Sequence, residues 1–324
     1  MNTLSKKWLT GVAALLLLHA GLPAYADQRE SVNESRAVAA NEKIYLEVMS
    51  GEVSIKAVDG NQFKISGKLD EKATGYTLES KDGFTRFEMT MPRQVNYRGS
   101  EKSNGADLQV EVPTGSSIEF KGVNSDVSLA GVTGGSKIST VNGNISAAKL
   151  SVLVQLNTVN GEINSKDSSG EIELSSVNGK IIDVGSSGRL NYSVVNGEIK
   201  ARTSAEEVSV STVNGDAELK MTGTQHLKLS TVNGEIEAEV AKSASPRISG
   251  SSVSGDIELK LDSSINARFD IQASAGGSID NKLSSDKASK AKYGPARSLQ
   301  FTLGSGNGSV DLSTVSGDVT LGKL

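Results

Sequence analysis

Six asparagines, Asn124, Asn142, Asn160, Asn178, Asn196 and Asn214, stand 18 residues apart without exception, and Asn233 follows at 19. Each belongs to a variant of one hexapeptide: Thr140-Val141-Asn142-Gly143-Asn144-Ile145, Thr158 to Ile163, Ser176 to Ile181, Val194 to Ile199, Thr212 to Ala217 and Thr231 to Ile236. Serine takes the asparagine's place in Ser252-Val253-Ser254-Gly255-Asp256-Ile257 and Thr314-Val315-Ser316-Gly317-Asp318-Val319. A constant period of this size marks an array of units, none of which can bury its apolar face alone, so neighbours must stack.

The apolar residues keep the same period. Counted from each Asn, position −1 is Val123, Val141, Val159, Val177, Val195, Val213 and Val232, and position +3 is Val127, Ile145, Ile163, Ile181, Ile199, Ala217 and Ile236. Positions +12 and +14 are Val154/Leu156, Ile172/Leu174, Leu190/Tyr192 and Val208/Val210, with Leu227/Leu229 one residue late. All are read as inward columns, so each unit carries two short strands with alternating burial. No stretch keeps apolar residues at i, i+3, i+4 and i+7 over three turns, so helices are not expected.

Two all-β architectures fit. In a parallel β-solenoid of about 18 residues per coil, equivalent residues stack at roughly 4.8 Å and build a rod about 35 Å long. In an antiparallel β meander, each Asn-Gly is a two-residue hairpin turn. The solenoid is favoured because it gives every Asn the same neighbours above and below.

The rest of the chain divides by composition. Residues 1–26 read as a signal peptide: Lys6 and Lys7, the apolar run Ala13 to Leu18, then Ala24-Tyr25-Ala26 as a small-x-small cleavage site. The apolar run is far short of the roughly 20 residues that span a bilayer. Residues 27–42 are polar, without period, and read as a flexible lead-in. Residues 43–120 read as an N-terminal β region or cap, 121–262 as the repeat solenoid and 263–324 as its C-terminal end or cap. Both ends are bulkier, since Tyr192 is the one Phe or Tyr between residues 121 and 268. Pro92 to Gly105 reads as an exposed loop, and the Lys-rich Asp280 to Arg297 as a loop with at most one helical turn.

After residue 26 the chain has 32 basic and 38 acidic residues, without the basic stripe of a nucleic-acid binder. There is no Cys, which excludes thiol catalysis, thiolate metal sites and disulfides.

The repeated Thr-Val-Asn-Gly-Asp/Glu-Ile with its Ser-Gly-Asp-Ile variant resembles the DUF4097 family, labelled "putative adhesins". Val48-Met49-Ser50-Gly51-Glu52-Val53-Ser54-Ile55, the Val110-Glu111-Val112-Pro113 step and the closing Val315-Ser316-Gly317-Asp318-Val319 also look like that family. The resemblance covers roughly residues 43 to 324. It implies a β-solenoid on the cell envelope or exported from it, and it supplies no catalytic residues.

Each candidate chemistry has a plainer structural counterpart. The Asn column could form a ligand-binding face, but stacked amides also make a ladder, and Asn before Gly suits a turn that tolerates left-handed φ. Position +2 is largely acidic (Asp126, Glu162, Glu198, Asp216, Glu235, Asp256 and Asp318), yet Asn144 and Lys180 interrupt it and the calcium-binding Gly-Gly-x-Gly-x-Asp repeat is absent. His226, the one His after residue 26, should face solvent beside Lys228, and no nucleophile elbow accompanies it. Glu171/Glu173 and Glu235/Glu237/Glu239 form one-face stripes, whereas glycoside hydrolysis needs two carboxyls opposed across a bond. Lys282, Lys287, Lys290, Lys292 and Arg297 could meet an anionic polymer, diluted by Asp280 and Asp286.

The expectation is therefore a non-catalytic, exported envelope protein that binds through a rigid β-solenoid surface. No catalytic, cofactor or metal residues are assigned. The expected partner is a protein or glycan of the cell envelope, with no nucleic acid and no membrane insertion, in the periplasm or outside the cell. The alternatives are a polysaccharide-active β-helix enzyme and a periplasmic stress or ligand sensor.

Overall fold

The computed structural model describes residues 29–92 and 104–324, so the signal-peptide reading of residues 1–26 lies outside the described residues. The described residues form 24 strands and no helix. The repeat explains their pairing. Strand Ser169–Val184 runs parallel to Ser187–Thr203 with Ile172 opposite Leu190, Asn178 opposite Asn196 and Ile181 opposite Ile199. The same 18-residue offset joins Ser187–Thr203 to Glu207–Thr222 and Ser151–Thr158 to Ser169–Val184. Each coil thus contributes a first strand ahead of its Asn-Gly and a second strand after it. First strands pair with first strands and second with second. The two strands flanking an Asn-Gly do not pair with each other, so the hairpins of an antiparallel meander are not needed.

The two stacks of strands share one core. Ile172 and Leu174 enter it from the first stack and Ile181 from the second, all at most 1% exposed. Burying a side chain of this size contributes about 1.5–3 kcal/mol. The residue two before each Asn also points inward. Thr158 donates its hydroxyl to the Gly143 carbonyl at 2.9 Å and Thr140 to the Ser125 carbonyl at 3.2 Å, which ties each coil to the one before.

The valines at −1 correct the sequence reading. They are not inward: Val123 through Val315 are 37–46% exposed. Alternation takes positions −4 and −2 into the core, so −1 falls outside at the bend. A β-branched side chain there stacks on its own copies along the axis, which covers most of it without any core contact.

The glycine after each Asn has a different cause from the one its turn-like sequence suggests. None of Gly143, Gly161, Gly179, Gly197, Gly215 and Gly234 has positive φ, nor do their asparagines. A Cβ on these glycines would lie 1.8–2.3 Å from a backbone carbonyl oxygen of the preceding coil. Close approach between coils, rather than a left-handed turn, excludes every other residue.

Both ends depart from sequential order. Strand Lys43–Val58 lies between Ser117–Ala130 on one side and Phe84–Thr90 with Ala106–Pro113 on the other. At the far end, Gly308–Thr314 is inserted between Arg247–Ser252 and Ala267–Ala273, and Val319–Lys323 between Ile257–Leu261 and Ile279–Asn281. Antiparallel strands finish the edges: Ser31–Ala37 on Gln62–Lys68, Gly75–Lys81 on Phe84–Thr90, and Arg297–Leu303 on Ala267–Ala273. Stacked rings fill these ends, Tyr76 on Phe87 and Phe269 on Phe301. Ser31–Ala37 lies within the segment read as a flexible lead-in. With Val32 as its one fully buried apolar residue it lacks a period, and pairing along an edge holds it. The Lys-rich stretch contains the two-residue strand Ser289–Lys290 and no helical turn.

Among the described residues Glu42, Asp70 and Asp183 are buried carboxylates, and Asp183 lies within the repeat. Asp183 is fully buried and accepts hydrogen bonds from Tyr192 Oη at 2.6 Å and Ser186 Oγ at 2.5 Å. Burial raises its pKa and outweighs these donors, and burial beside Asp183 pushes Tyr192 well above the usual phenol value.

Gly179→Ala should lower stability by about 1–3 kcal/mol in urea unfolding, because the coil above must move; Ser193→Ala on the outer face should change it by less than about 0.5 kcal/mol. For Asp183, the folded chain retains a proton that the unfolded chain releases, so its favourable contribution is present at low pH and lost as pH rises through the raised pKa. Relative to Asp183→Asn, the wild type should gain stability as pH falls from about 7 to about 4. A wild-type-to-variant difference that stays flat with pH would mean that Asp183 titrates at its ordinary value.

Candidate functional site

With the core closed, function falls to the outer faces and the bends. At the first bend the asparagines form a continuous amide ladder. Asn142 Nδ2 donates to Asn124 Oδ1 at 2.9 Å, and the same bond repeats at 2.8–3.0 Å through Asn160, Asn178, Asn196, Asn214 and Asn233. Each amide spends one donor and its oxygen along the axis. What remains toward solvent is one N–H per coil, a weak basis for recognising a ligand.

The acidic column at +2 is also engaged between coils. Asp126 accepts from the Asn144 backbone N–H at 2.7 Å, Asp216 from Glu235 at 3.0 Å and Asp256 from Asp318 at 2.7 Å. Where Lys180 interrupts the column it bonds Glu198 at 2.8 Å, and Lys200 meets the same carboxylate at 2.7 Å. Those two lysines hold Glu198 below the usual carboxylate pKa.

This pairing spreads across the second stack's outer face. Lys220 lies 3.4 Å from Glu218 and 3.9 Å from Glu239, and Lys260 binds both Glu237 and Glu258. The Glu237 and Glu258 carboxylates raise the Lys260 pKa. Two members of the Glu235/Glu237/Glu239 stripe are thus ion-paired, and on the first stack Glu173 accepts from Gln155 Nε2 at 3.1 Å. Exposed pairs of this kind contribute about 0–1 kcal/mol each. They flatten the face and fix its side chains more than they stabilise it.

His226 stands exposed on the first stack between Glu207 and Arg247 in register, with Lys228 two positions on. The Lys-rich stretch places Lys282 3.3 Å from Asp280 and Lys292 5.4 Å from the ring centre of Tyr293. These groups are not brought together around one point.

Two features were not singled out by sequence reasoning. A depression of about 480 Å³ crosses the second stack over five coils, floored by Ser54, Ser128, Ala130, Ser146 and Ala148 and edged by Lys56, Lys166 and Val184. Aligning outward rather than inward positions would have exposed it, as a run of small residues between two lysines. On the first stack, Phe84, Val152 and Leu153 are exposed. Val152 has φ of 74° at a position where the next two coils place Gly170 and Gly188, an uncommon conformation for a β-branched residue.

No curated protein matches this sequence. Among solved structures, a "putative adhesin" from Parabacteroides distasonis ATCC 8503 is 11% identical, with 92% of this chain and 98% of that chain covered and a TM-score of 0.41. A "putative adhesin" from Parabacteroides merdae ATCC 43184 is 9% identical, covering 91% and 96%, at a TM-score of 0.40. A "putative lipid binding protein" from P. distasonis ATCC 8503 is 15% identical over 71% of this chain and 96% of that one, at 0.41. The family described as Toastrack DUF4097 matches residues 41–322, nearly the whole of what the structure describes, and the chain belongs to that family.

Proposed function

We propose that this chain is a non-catalytic, exported protein of the cell envelope that works by binding, with a rigid parallel β-solenoid as the binding scaffold. The observation that carries the reading is where its polar chemistry is spent. The Asn ladder, the aspartates at +2 and the buried Thr140 and Thr158 hydroxyls bond from coil to coil. Asp183, whose pKa burial raises, is sealed in the core away from any substrate. What reaches solvent is a pair of flat, hydroxyl- and charge-rich sheet faces, a geometry suited to broad contact rather than to enclosing a small molecule.

Export rests on the signal-peptide pattern of residues 1–26. No helix among the described residues is long and apolar enough to cross a membrane. The adhesin-type role is the one the family resemblance implies, and the partner that fits is a protein or glycan of the envelope.

The test is a pull-down from envelope extract with the chain from residue 27 onward. A second bait carries Ser193→Lys, Ser211→Lys and Ser230→Lys on the first stack's outer face, and a third carries Ser128→Lys and Ser146→Lys on the second. A specific envelope component retained by the wild type and lost by one of the two altered baits is expected. Equal recovery by all three, or turnover of an envelope glycan by the purified protein, would refute the proposal.

A further inference from the structure

The outer face of the second stack changes character along its length. From the coil at Asn178 onward, Lys180, Lys200, Lys220 and Lys260 are each bonded to glutamates of the same face. Between that stretch and the Lys64–Glu111 pair nearer the N-terminal end, the pairing lapses. Glu52 and Lys56, on strand Lys43–Val58, make no ion pair among the described residues, and neither do Glu162 and Lys166, four residues apart in the coil at Asn160. Alternation puts Glu52, Ser54 and Lys56 on the exposed side of their strand, and Glu162, Asn164 and Lys166 on the same side of theirs. The two coils between them, at Asn124 and Asn142, carry Ser128/Ala130 and Ser146/Ala148 at the matching positions. The depression of about 480 Å³ lies over these small side chains.

We infer that this depression is a self-complementary interface for a second copy of the chain. Over these coils the pattern is what a two-fold axis requires; one strand further, where Asp107 and Glu111 hold the matching positions, Glu111 is already neutralised by Lys64. An axis running along the stack above the column Ser54, Ser128, Ser146 exchanges the two sides of the face. Glu52 then lies over the partner's Lys56, and Lys56 over the partner's Glu52. Glu162 and Lys166 meet their counterparts in the same reciprocal way. Four ion pairs bracket a floor of serine and alanine, and such short side chains let two sheets approach closely. Beyond them Ile182 meets its own copy and the exposed Val184 gains cover. Asp126, which would face the partner's Ala130, already accepts the Asn144 N–H. An isologous contact of this kind closes as a dimer and does not propagate.

The size of the patch sets the strength. Five coils at about 4.8 Å by five residues at about 3.3 Å give about 400 Å² per copy, roughly 800 Å² in all. That lies below standard interfaces, so the dimer is a weak one. Because the charged rim is solvent-exposed, salt screens it.

The inference builds on the reading of the outer faces as binding surfaces, and its test is separate from the pull-down. Sedimentation velocity of the chain from residue 27 onward, between about 1 and about 500 µM, should show a dimer fraction that grows with concentration and shrinks in about 0.5 M NaCl. Lys56→Glu should weaken association by at least about tenfold, since like charges then oppose each other twice across the axis. Glu52→Lys combined with Lys56→Glu should restore it, because the swap keeps the face self-complementary. Ala148→Arg should abolish it by filling the floor. Circular dichroism matching the wild type identifies the variants that fold. A chain that stays monomeric at every concentration, a dimer that tolerates Ala148→Arg, or a charge swap that fails to rescue Lys56→Glu would each overturn the proposal. An Ala148→Arg bait that is monomeric yet still retains its envelope component would leave the binding function standing apart from the dimer.

Discussion

Each Asn-Gly step is packed so closely on the one before it that a single Cβ would strike the neighbouring carbonyl. The rest of the repeat depends on that contact. It sets adjacent coils in one register, and one register is what lets identical side chains meet. The Asn amides then reach each other, the Thr hydroxyls reach the previous coil's carbonyls, and Ile stacks on Ile in the core. A slip of one residue would turn every inward side chain outward. The glycine therefore acts less as a flexible joint than as a gauge that fixes spacing, with the ladders holding the spacing in place.

A stack of parallel strands has two liabilities, its open ends and its long flat faces. The ends are closed by antiparallel strands and aromatic pairs, which leave short or charged edges in place of a template for further strands. The faces are treated unevenly. Over most of the second stack, lysines and glutamates satisfy one another, which leaves little unsatisfied charge for a partner to exploit. Over the small-residue floor near the N-terminal part of the same face, Glu52, Lys56, Glu162 and Lys166 form no ion pairs among the described residues.

Much of the fold was legible in the sequence because stacking writes its register directly into the spacing. The 18-residue step, the +3 isoleucines, the +12 and +14 columns and the solvent-facing His226 all appear where the period puts them. The valines at −1 did not, because a periodic apolar residue looks the same in a core column as in a column stacked on itself at a bend. Asn-Gly resembles a turn signal for a similar reason. Its composition suits a left-handed conformation, while the need here is for room, which depends on a neighbour 18 residues away. Asp183 is invisible to pattern reading, since Ser186 lies three residues on while Tyr192 and Ser165 reach it from the adjacent coils. The depression over Ser128 and Ala148 was written in the outward positions, which carry no periodic apolar signal to draw attention to them.

The order of strands at the far end has a consequence for how the chain can be assembled. Residues 308–323 occupy a place between two coils that both precede them in sequence. A chain emerging from its N-terminus can wind its middle coils one after another, each templated on the last. The stretch from Ala267 to Leu303 has no such neighbour until the later segment enters the gap. The fold is therefore closed by a keystone rather than finished by a final turn of winding.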